Sequence, residues 1–502
     1  MLLRRCAASN TARARIRTCW SEGYGWHLFE HSRQDRAKRL RCIFATNIPF
    51  HDRKTGHRSE VAAFIKAKWR SAISTRVAVV GGGVAGLACA CELADAGIDV
   101  VLLEARPHLG GRAYSFRDSR TGILIDNCQH VILGCCKSAI EFLRRIGSLD
   151  SVRFCDKFCF VGNDSKTLEI RSSTLPRPFN LLPSLIFASC FALADKLRLC
   201  RILTGIAVRK PGKQTTAKDY LRSLSCTDSL MNKVFEPILV SALNEDLDQA
   251  SAQYAAMVLS TALLGEKGAH RLGIAGLPLS ELIGEAASRF LLDRGCDIRL
   301  SARIGSLHIQ GKRVYSLLLS SGKEVRADFY VCAVPPWDLA KMGLETRAAR
   351  SLRWRPIVGV HLFLEGDLPN FDCACVVGEP FQWVFNKSRD FGLPFSYIQA
   401  VASAASSIVN LKRSDLIYLA LRAMAKAVPE PVAPTLAGAV VVRERRATFS
   451  TSVDSDAVRP GTCTNLDNLF LAGDWVDTHW PATIESAVRS GIAAAHEVKK
   501  RV

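Results

Sequence analysis

Apolar residues in this chain come in short β-branched runs separated by longer stretches of small and aliphatic residues, the pattern of strands alternating with helices. The clearest case is a strand predicted over 77–80, broken by Gly81, Gly83 and Gly86, and followed by a small-residue helix predicted over 87–96. A second strand is predicted over 98–103, and further short ones over 297–300, 303–307 and 328–334, the last halted by Pro335 and Pro336. Near the C-terminus, 469–472 reads as a buried strand, and Pro481 is expected to open a helix over 482–495. One stretch stands apart. Residues 179–194 (FNLLPSLIFASCFALA) carry no charge, yet at 16 residues they fall short of the ~20 needed to span a bilayer. They read either as a helix dipping into one leaflet or as a buried core helix.

The first strand–glycine–helix unit carries chemistry. Gly81 permits the tight turn, Gly83 lets backbone approach a pyrophosphate, and Gly86 allows close helix-to-strand packing. The N–H groups of the helix start, at Ala85 and Gly86, are unpaired donors suited to an anion. Glu104 ends the second strand 23 residues after Gly81, where a carboxylate accepts hydrogen bonds from an adenosine ribose. Gly110, Gly111 and Arg112 follow, a flexible turn and a guanidinium within reach of a diphosphate or a flavin edge. At the other end of the chain, Gly473 and Asp474 offer a carboxylate for a ribityl hydroxyl. The helix start at Ala482, Thr483 and Ile484 offers N–H groups to negative charge on a flavin ring. Ile304 is expected to meet adenine through its backbone. Read together, the two ends predict one FAD site.

This implies an α/β fold with a Rossmann-like FAD-binding domain of the GR2 type on a parallel sheet, and an inserted α+β substrate-binding domain. The expected division assigns 75–140, 285–335 and 465–502 to the FAD domain, and 141–284 and 336–464 to the substrate domain. At 502 residues and 48% hydrophobic the chain is long enough to bury the core of both. The net charge of +20 resembles that of a nucleic-acid binder, but its distribution argues against that partner: residues 1–74 hold 16 Lys or Arg against 5 Asp or Glu, +11 of the total. That segment lacks an apolar signal core and is read as a poorly ordered basic extension without function, with a membrane-surface arm, a targeting segment or sequence upstream of a misplaced start as alternatives. The 18 cysteines sit mostly in apolar runs. Cys135 with Cys136, Cys155 with Cys159, and Cys373 with Cys375 lack zinc spacing, so a reducing compartment and no metal are expected.

Further motifs resemble a known family. IDNCQHVILG at 125–134, EPILVSALN at 236–244, ASAQ at 250–253, AVPPW at 333–337, FQWVFN at 381–386, RRATFS at 445–450 and LAGDWVDTHWPATIESAVRSG at 471–491 carry the resemblance. They look like the squalene-associated FAD-dependent desaturases, the hydroxysqualene dehydroxylases of hopanoid and squalene synthesis, within the phytoene desaturase and amine oxidase superfamily. The likeness runs from about residue 76 to the C-terminus. The glycine fingerprint is common to the superfamily; the 125–134, 236–244 and 471–491 blocks point to this subgroup. The first block usually reads DNGQH there, so Cys128 is a departure that puts a Cβ where backbone freedom or close approach to the flavin is expected.

The resemblance implies reductive removal of the allylic hydroxyl of hydroxysqualene, giving squalene. Such a reaction needs an apolar tunnel, one proton donor and a well-placed flavin. His130, Asp126 and Glu236 are candidate proton donors, with Asn127, Gln129 and Asn244 as hydroxyl anchors; each has a plain structural reading as turn cap, ion-pair partner or core residue. The expected partners are an isoprenoid lipid substrate and a membrane surface, on the inner face of the cytoplasmic membrane for a cytoplasmic protein. No separate nicotinamide fingerprint is present, so the electron donor is unknown. A desaturase or amine oxidase of the same superfamily, or a non-catalytic prenyl-lipid carrier of this fold, remain alternatives.

Overall fold

The computed structural model describes residues 75–502 except 120–121, 163–166, 172, 174, 176–181, 189–190, 367–370, 392, 394 and 429–434. The basic segment 1–74 therefore lies outside the described residues.

The β-branched runs assemble into a five-stranded sheet in the order Asp297–Arg299, Asp99–Leu103, Arg76–Val80, Phe329–Cys332, Leu469–Leu471. Every neighbouring pair is parallel. This is a Rossmann-like arrangement, with strands buried on both faces as their unbroken apolar runs require. Val77, Ala78, Val79, Val100, Val101 and Leu102 are wholly buried. One face is covered by helix Val84–Asp95 and the C-terminal helix Ile484–Lys499. They cross closely because of Gly491: a Cβ there would stand 2.2 Å from the Ala85 carbonyl oxygen. The same core takes in Phe142, Leu143, Leu279, Leu282 and Phe290, so residues on both sides of the expected borders pack with this sheet.

A seven-stranded sheet carries the other half of the fold, in the order Thr435–Phe449, Trp354–Glu365, Ser396–Ala402, Trp383–Asn386, Cys373–Val376, Lys157–Val161, Thr167–Arg171. It is antiparallel except where Cys373–Val376 meets Lys157–Val161. Against it packs a helical layer including Leu193–Val208, Glu236–Leu243 and Ala252–Leu263.

Two expectations need correction. The C-terminal helix starts at Ile484 rather than 482, because Thr483 is its N-cap and accepts from the Ser486 N–H at 3.2 Å; Pro481 stands before the cap. The uncharged stretch 179–194 is not one helix. A short helix, Leu182–Ile186, ends there and a longer one, Leu193–Val208, begins, while 179–181 and 189–190 lie outside the described residues. Among the described residues no helix is long and apolar enough to cross a membrane.

Candidate active site

A single cavity of about 1050 Å³ joins the edge of the parallel sheet to the interior of the second half. Its first end is the glycine turn. Gly81 has φ +106°, and a Cβ there would meet the Ala333 carbonyl oxygen at 2.7 Å. Gly83 and Gly111 approach back to back, a Cβ on Gly111 falling 2.9 Å from the Gly83 Cα, and both line the cavity. Gly86 does not line it; a Cβ there would lie 1.9 Å from the Gly81 carbonyl oxygen, so this glycine serves the packing of helix on turn. The helix behind has Gly83 as N-cap, no side-chain cap and no acidic residue in its first turn. Its N–H groups are thus left to an anion.

Glu104 is buried at the strand end, its Oε2 accepting from the Gly82 N–H at 2.6 Å and its Oε1 from the Arg106 N–H at 2.7 Å. It both fixes the turn and lines the cavity. Ile304 lines the same end, with the cationic side chains Arg106, Arg303, Lys341 and Arg446. A bare helix N-terminus, glycines with no room for side chains and surrounding cations fit the diphosphate of a dinucleotide.

Further in, Arg112 and Asp474 line the cavity, but they are paired with each other: Nη2 donates to Oδ1 at 2.5 Å, and Nη1 to the Ala447 carbonyl at 2.6 Å. The two expected cofactor contacts therefore also lock the two ends of the chain together. Gly473, at φ +138°, lets the chain turn beneath Trp475, whose indole nitrogen would stand 2.5 Å from any Cβ. Ala482, Thr483 and Ile484 complete this wall.

The proton-donor candidates separate. His130 lines the cavity, and its buried Nε2 has no hydrogen-bond partner. Burial lowers its pKa below the usual histidine value; Asp126 opposes this, the Arg112 charge reinforces it, and a hydrogen bond to the Arg112 backbone opposes it. Asp126 is buried behind the wall and committed: Oδ1 accepts from the Ser115 hydroxyl at 2.7 Å and the Leu279 N–H at 3.0 Å, and Oδ2 faces the Lys387 ammonium at 3.6 Å. Glu236 is not brought to the cavity at all. It opens helix Glu236–Leu243 with an exposed side chain, and partial desolvation raises its pKa. Of the three, the geometry keeps His130.

The hydroxyl-anchor candidates divide too. Asn244 also lines the cavity, but it has a left-handed backbone and spends its amide on the Ala404 N–H, the Thr448 hydroxyl and the Arg355 carbonyl, so its role is to end a helix. Gln129 accepts from Lys387 at 3.1 Å, and Asn127 donates to Glu444 at 3.3 Å; both line the cavity. Cys128 also lines it without a positive φ, so the cysteine is accommodated by ordinary backbone. Burial and the neighbouring Glu444 push its thiol up to about 12.

Two residues escaped the sequence reading. His270, 2% exposed, lines the cavity with an unpartnered Nε2 and a pKa lowered by burial. A lone histidine between helix and strand carries no motif. Arg459, with a wholly buried side chain, donates to the carbonyls of Asp474 at 3.2 Å, Trp475 at 3.4 Å and Val476 at 2.6 Å, and to the Tyr254 hydroxyl. It clamps the loop that carries Asp474 to helix Ala252–Leu263, whose Val258, Thr261 and Ala262 line the cavity. Beyond these the lining is largely apolar, with Phe160, Ile238, Leu263, Leu272, Phe385 and Val401.

A Rossmann-like sheet whose glycine turn opens into an apolar chamber defines an FAD-dependent oxidoreductase, and the comparisons agree. A model of the flavin containing amine oxidoreductases matches residues 84–499, and one of the pyridine nucleotide-disulphide oxidoreductases matches residues 44–120. The hydroxysqualene dehydroxylase of Rhodopseudomonas palustris is 31% identical over 434 residues, covering 84% of this chain and 98% of that protein. That of Sinorhizobium fredii is 30% identical over 430 residues, covering 84% and 97%. The 15-cis-phytoene desaturase of Solanum lycopersicum is 22% identical over 471 residues, covering 87% and 80%. Among solved structures, an oxidoreductase from Methanosarcina mazei superposes with a TM-score of 0.65 at 16% identity, covering 84% of this chain and 100% of that one. Cyclohexylamine oxidase from Brevibacterium oxydans gives 0.60 at 16%, covering 86% and 99%; likeness of this degree shows the fold. The chain belongs to the flavin-containing amine oxidoreductases and, within them, to the hydroxysqualene dehydroxylase family.

Proposed function

We propose that this enzyme removes the allylic hydroxyl of hydroxysqualene by reduction, giving squalene and water. The observation that carries the reading is one cavity running from the glycine turn, past the unpartnered Nε2 of His130, into an apolar chamber; the kinship to hydroxysqualene dehydroxylases supports the substrate. FAD, when bound and reduced, supplies the two electrons and the hydrogen that replaces the hydroxyl. In this reading Gly81, Gly83, Ala85, Glu104, Gly111 and Ile304 hold the adenosine diphosphate portion. Arg112, Gly473, Asp474, Ala482, Thr483 and Ile484 hold the ring and ribityl portion. Segments 75–140, 285–335 and 465–502 form the cofactor half, and the core around the parallel sheet argues for extending it to Val152 and back to Leu279.

His130 meets the substrate oxygen. Its neutral ring accepts a hydrogen bond from the substrate hydroxyl at Nε2, orienting the C–O bond; its protonated ring gives a proton to that oxygen, which keeps its own hydrogen and leaves as water. The allylic cation is tolerable because its charge is delocalised, and the apolar walls exclude water that would recapture it. Asp126, held by Lys387, Ser115 and the Leu279 N–H, is a positioning residue that favours protonation of His130 through its charge.

The test is anaerobic incubation of reduced holoenzyme with hydroxysqualene, following flavin reoxidation and squalene by mass. Reoxidation with stoichiometric squalene is expected. Bound FAD that hydroxysqualene leaves reduced overturns the reading in favour of an oxidative desaturase or amine oxidase, and protein that holds no FAD turns it toward a carrier.

A further inference from the structure

Helix Leu193–Val208 is apolar on two opposite sides. Leu199, Ile202 and Ile206 are buried in the core shared with Leu239, Val258 and Phe160. At 3.6 residues per turn, Leu193, Leu197 and Val208 fall within one narrow stripe on the far side. That stripe faces solvent: Leu193 is 74% exposed, Leu197 65% and Val208 73%, and Phe187, just before the helix, is 83% exposed. These are the four most exposed large apolar side chains among the described residues, and all four lie within 22 residues of sequence. Isolated exposed leucines are ordinary; a cluster of this kind marks a contact surface. Around it stand the exposed cations Arg198, Arg201, Arg209, Lys210 and Lys213, with Asp195 paired to Arg198.

We infer that this face docks on an anionic lipid bilayer and passes the substrate inward through the layer it covers. Apolar tips ringed by arginine and lysine match a membrane interface, the tips entering the acyl boundary and the cations meeting lipid phosphates. The face also lies behind the cavity wall: the helix packs on helix Ala252–Leu263, whose Val258, Thr261 and Ala262 line the cavity. A chain leaving the leaflet beneath Leu193 and Leu197 has this helix and Ala252–Leu263 between it and the cavity. The transfer step rests on the isoprenoid substrate proposed above; the docking step does not.

The full-length holoenzyme is floated with vesicles of neutral phosphatidylcholine and with vesicles containing roughly a third anionic phosphatidylglycerol. It is expected to float with the anionic vesicles and to do so less with the neutral ones. A triple substitution of surface residues, Phe187→Ser with Leu193→Ser and Leu197→Ser, is expected to cut the floated fraction at least tenfold. So is Arg201→Glu with Arg209→Glu and Lys210→Glu. Both variants keep bound FAD and turn over detergent-dispersed substrate like the parent, while KM for vesicle-embedded substrate rises at least fivefold. Flotation that survives both sets of substitutions overturns the inference. So does a parent that never floats, or an apolar triple variant whose only change is a smaller oligomeric mass, which makes the face a protein–protein contact. If hydroxysqualene proves not to be the substrate, flotation and its loss stand unchanged, so the two failures are distinct.

Discussion

Gly491→Ala puts the helix crossing behind the glycine turn to a direct test. The new Cβ would lie 2.2 Å from the Ala85 carbonyl oxygen and 3.0 Å from the Cys89 nitrogen, both backbone atoms that no rotamer change can clear. Ordinary contact begins near 3.4 Å, so the helices Val84–Asp95 and Ile484–Lys499 must part by about 1 Å. Overpacking of this kind costs about 1–3 kcal/mol, and rigid neighbours place it at the upper end. Alanine returns about 1 kcal/mol in helix propensity. The net is about 2 kcal/mol of destabilisation, a fall in Tm of about 2–4 °C. Because Ala85 lies in the first turn facing the cavity, the same shift displaces the N–H groups offered to the diphosphate. FAD affinity is expected to fall about tenfold, equivalent to ~1.4 kcal/mol. Thermal melts of apoprotein, with FAD titration followed by flavin fluorescence, measure the two effects. A Tm equal to or above the parent's with unchanged FAD affinity would refute the argument, since propensity would then outweigh crowding.

Arg459→Met leaves the carbonyls of Asp474, Trp475 and Val476 without their donor; with charge-assisted bonds contributing ~1.5–3 kcal/mol each, FAD affinity should drop at least 30-fold and the visible flavin spectrum should shift, while Arg459→Lys restores part of both. An unaltered spectrum and affinity in Arg459→Met would show that the loop orders itself. His130→Gln should lower kcat about 100-fold or more with little change in KM. In the parent, the acid form of His130 grows as pH falls through a pKa held below 6.5 by burial, so kcat should rise from pH 8 toward pH 6 and the variant should lack that rise. A pH profile shared by both would remove His130 from proton transfer. His361, wholly buried against the Tyr397 hydroxyl at 2.7 Å, has its pKa lowered by burial and by Lys387 to about 3. The unfolded chain then protonates this residue first, so stability present above pH 6.5 is lost as pH falls toward 3, by up to about 1.4 kcal/mol per pH unit. Urea unfolding at pH 7, 6 and 5 should show a shallower loss for His361→Phe; parallel lines would contradict it.

The parallel sheet was readable because its signals are local: β-branched runs at 77–80 and 98–103, glycines that break them, and a carboxylate at the strand end. The rest depended on partners far away in sequence. Arg112 and Asp474 each read as a free contact for a cofactor, and nothing local reveals that they pair across 362 residues. Asp126 and Glu236 looked alike as carboxylates in motif blocks, yet one folds into a buried ion pair and the other stays in solvent. Arg459 looked like any loop arginine, since its three carbonyl partners appear only once the loop closes over it. The uncharged run at 179–194 misled for a related reason: hydropathy reports neither continuity nor burial, and this run holds one short helix and the start of another, with Phe187 and Leu193 in solvent.

The Arg112–Asp474 pair and the distant strands of the parallel sheet have a bearing on biosynthesis. The strand Leu469–Leu471 and the helix Ile484–Lys499 leave the ribosome long after Arg76–Val80, yet they complete the sheet and the core that this strand begins. Until they arrive, Arg112 lacks its carboxylate and the first helix lacks the partner that packs on Ala85. The nascent protein therefore has no complete flavin site until residues 469–499 have emerged. Cofactor capture reports that translation has passed this helix, and a chain stopped before Asp474 leaves Arg112 without its carboxylate and holds FAD weakly.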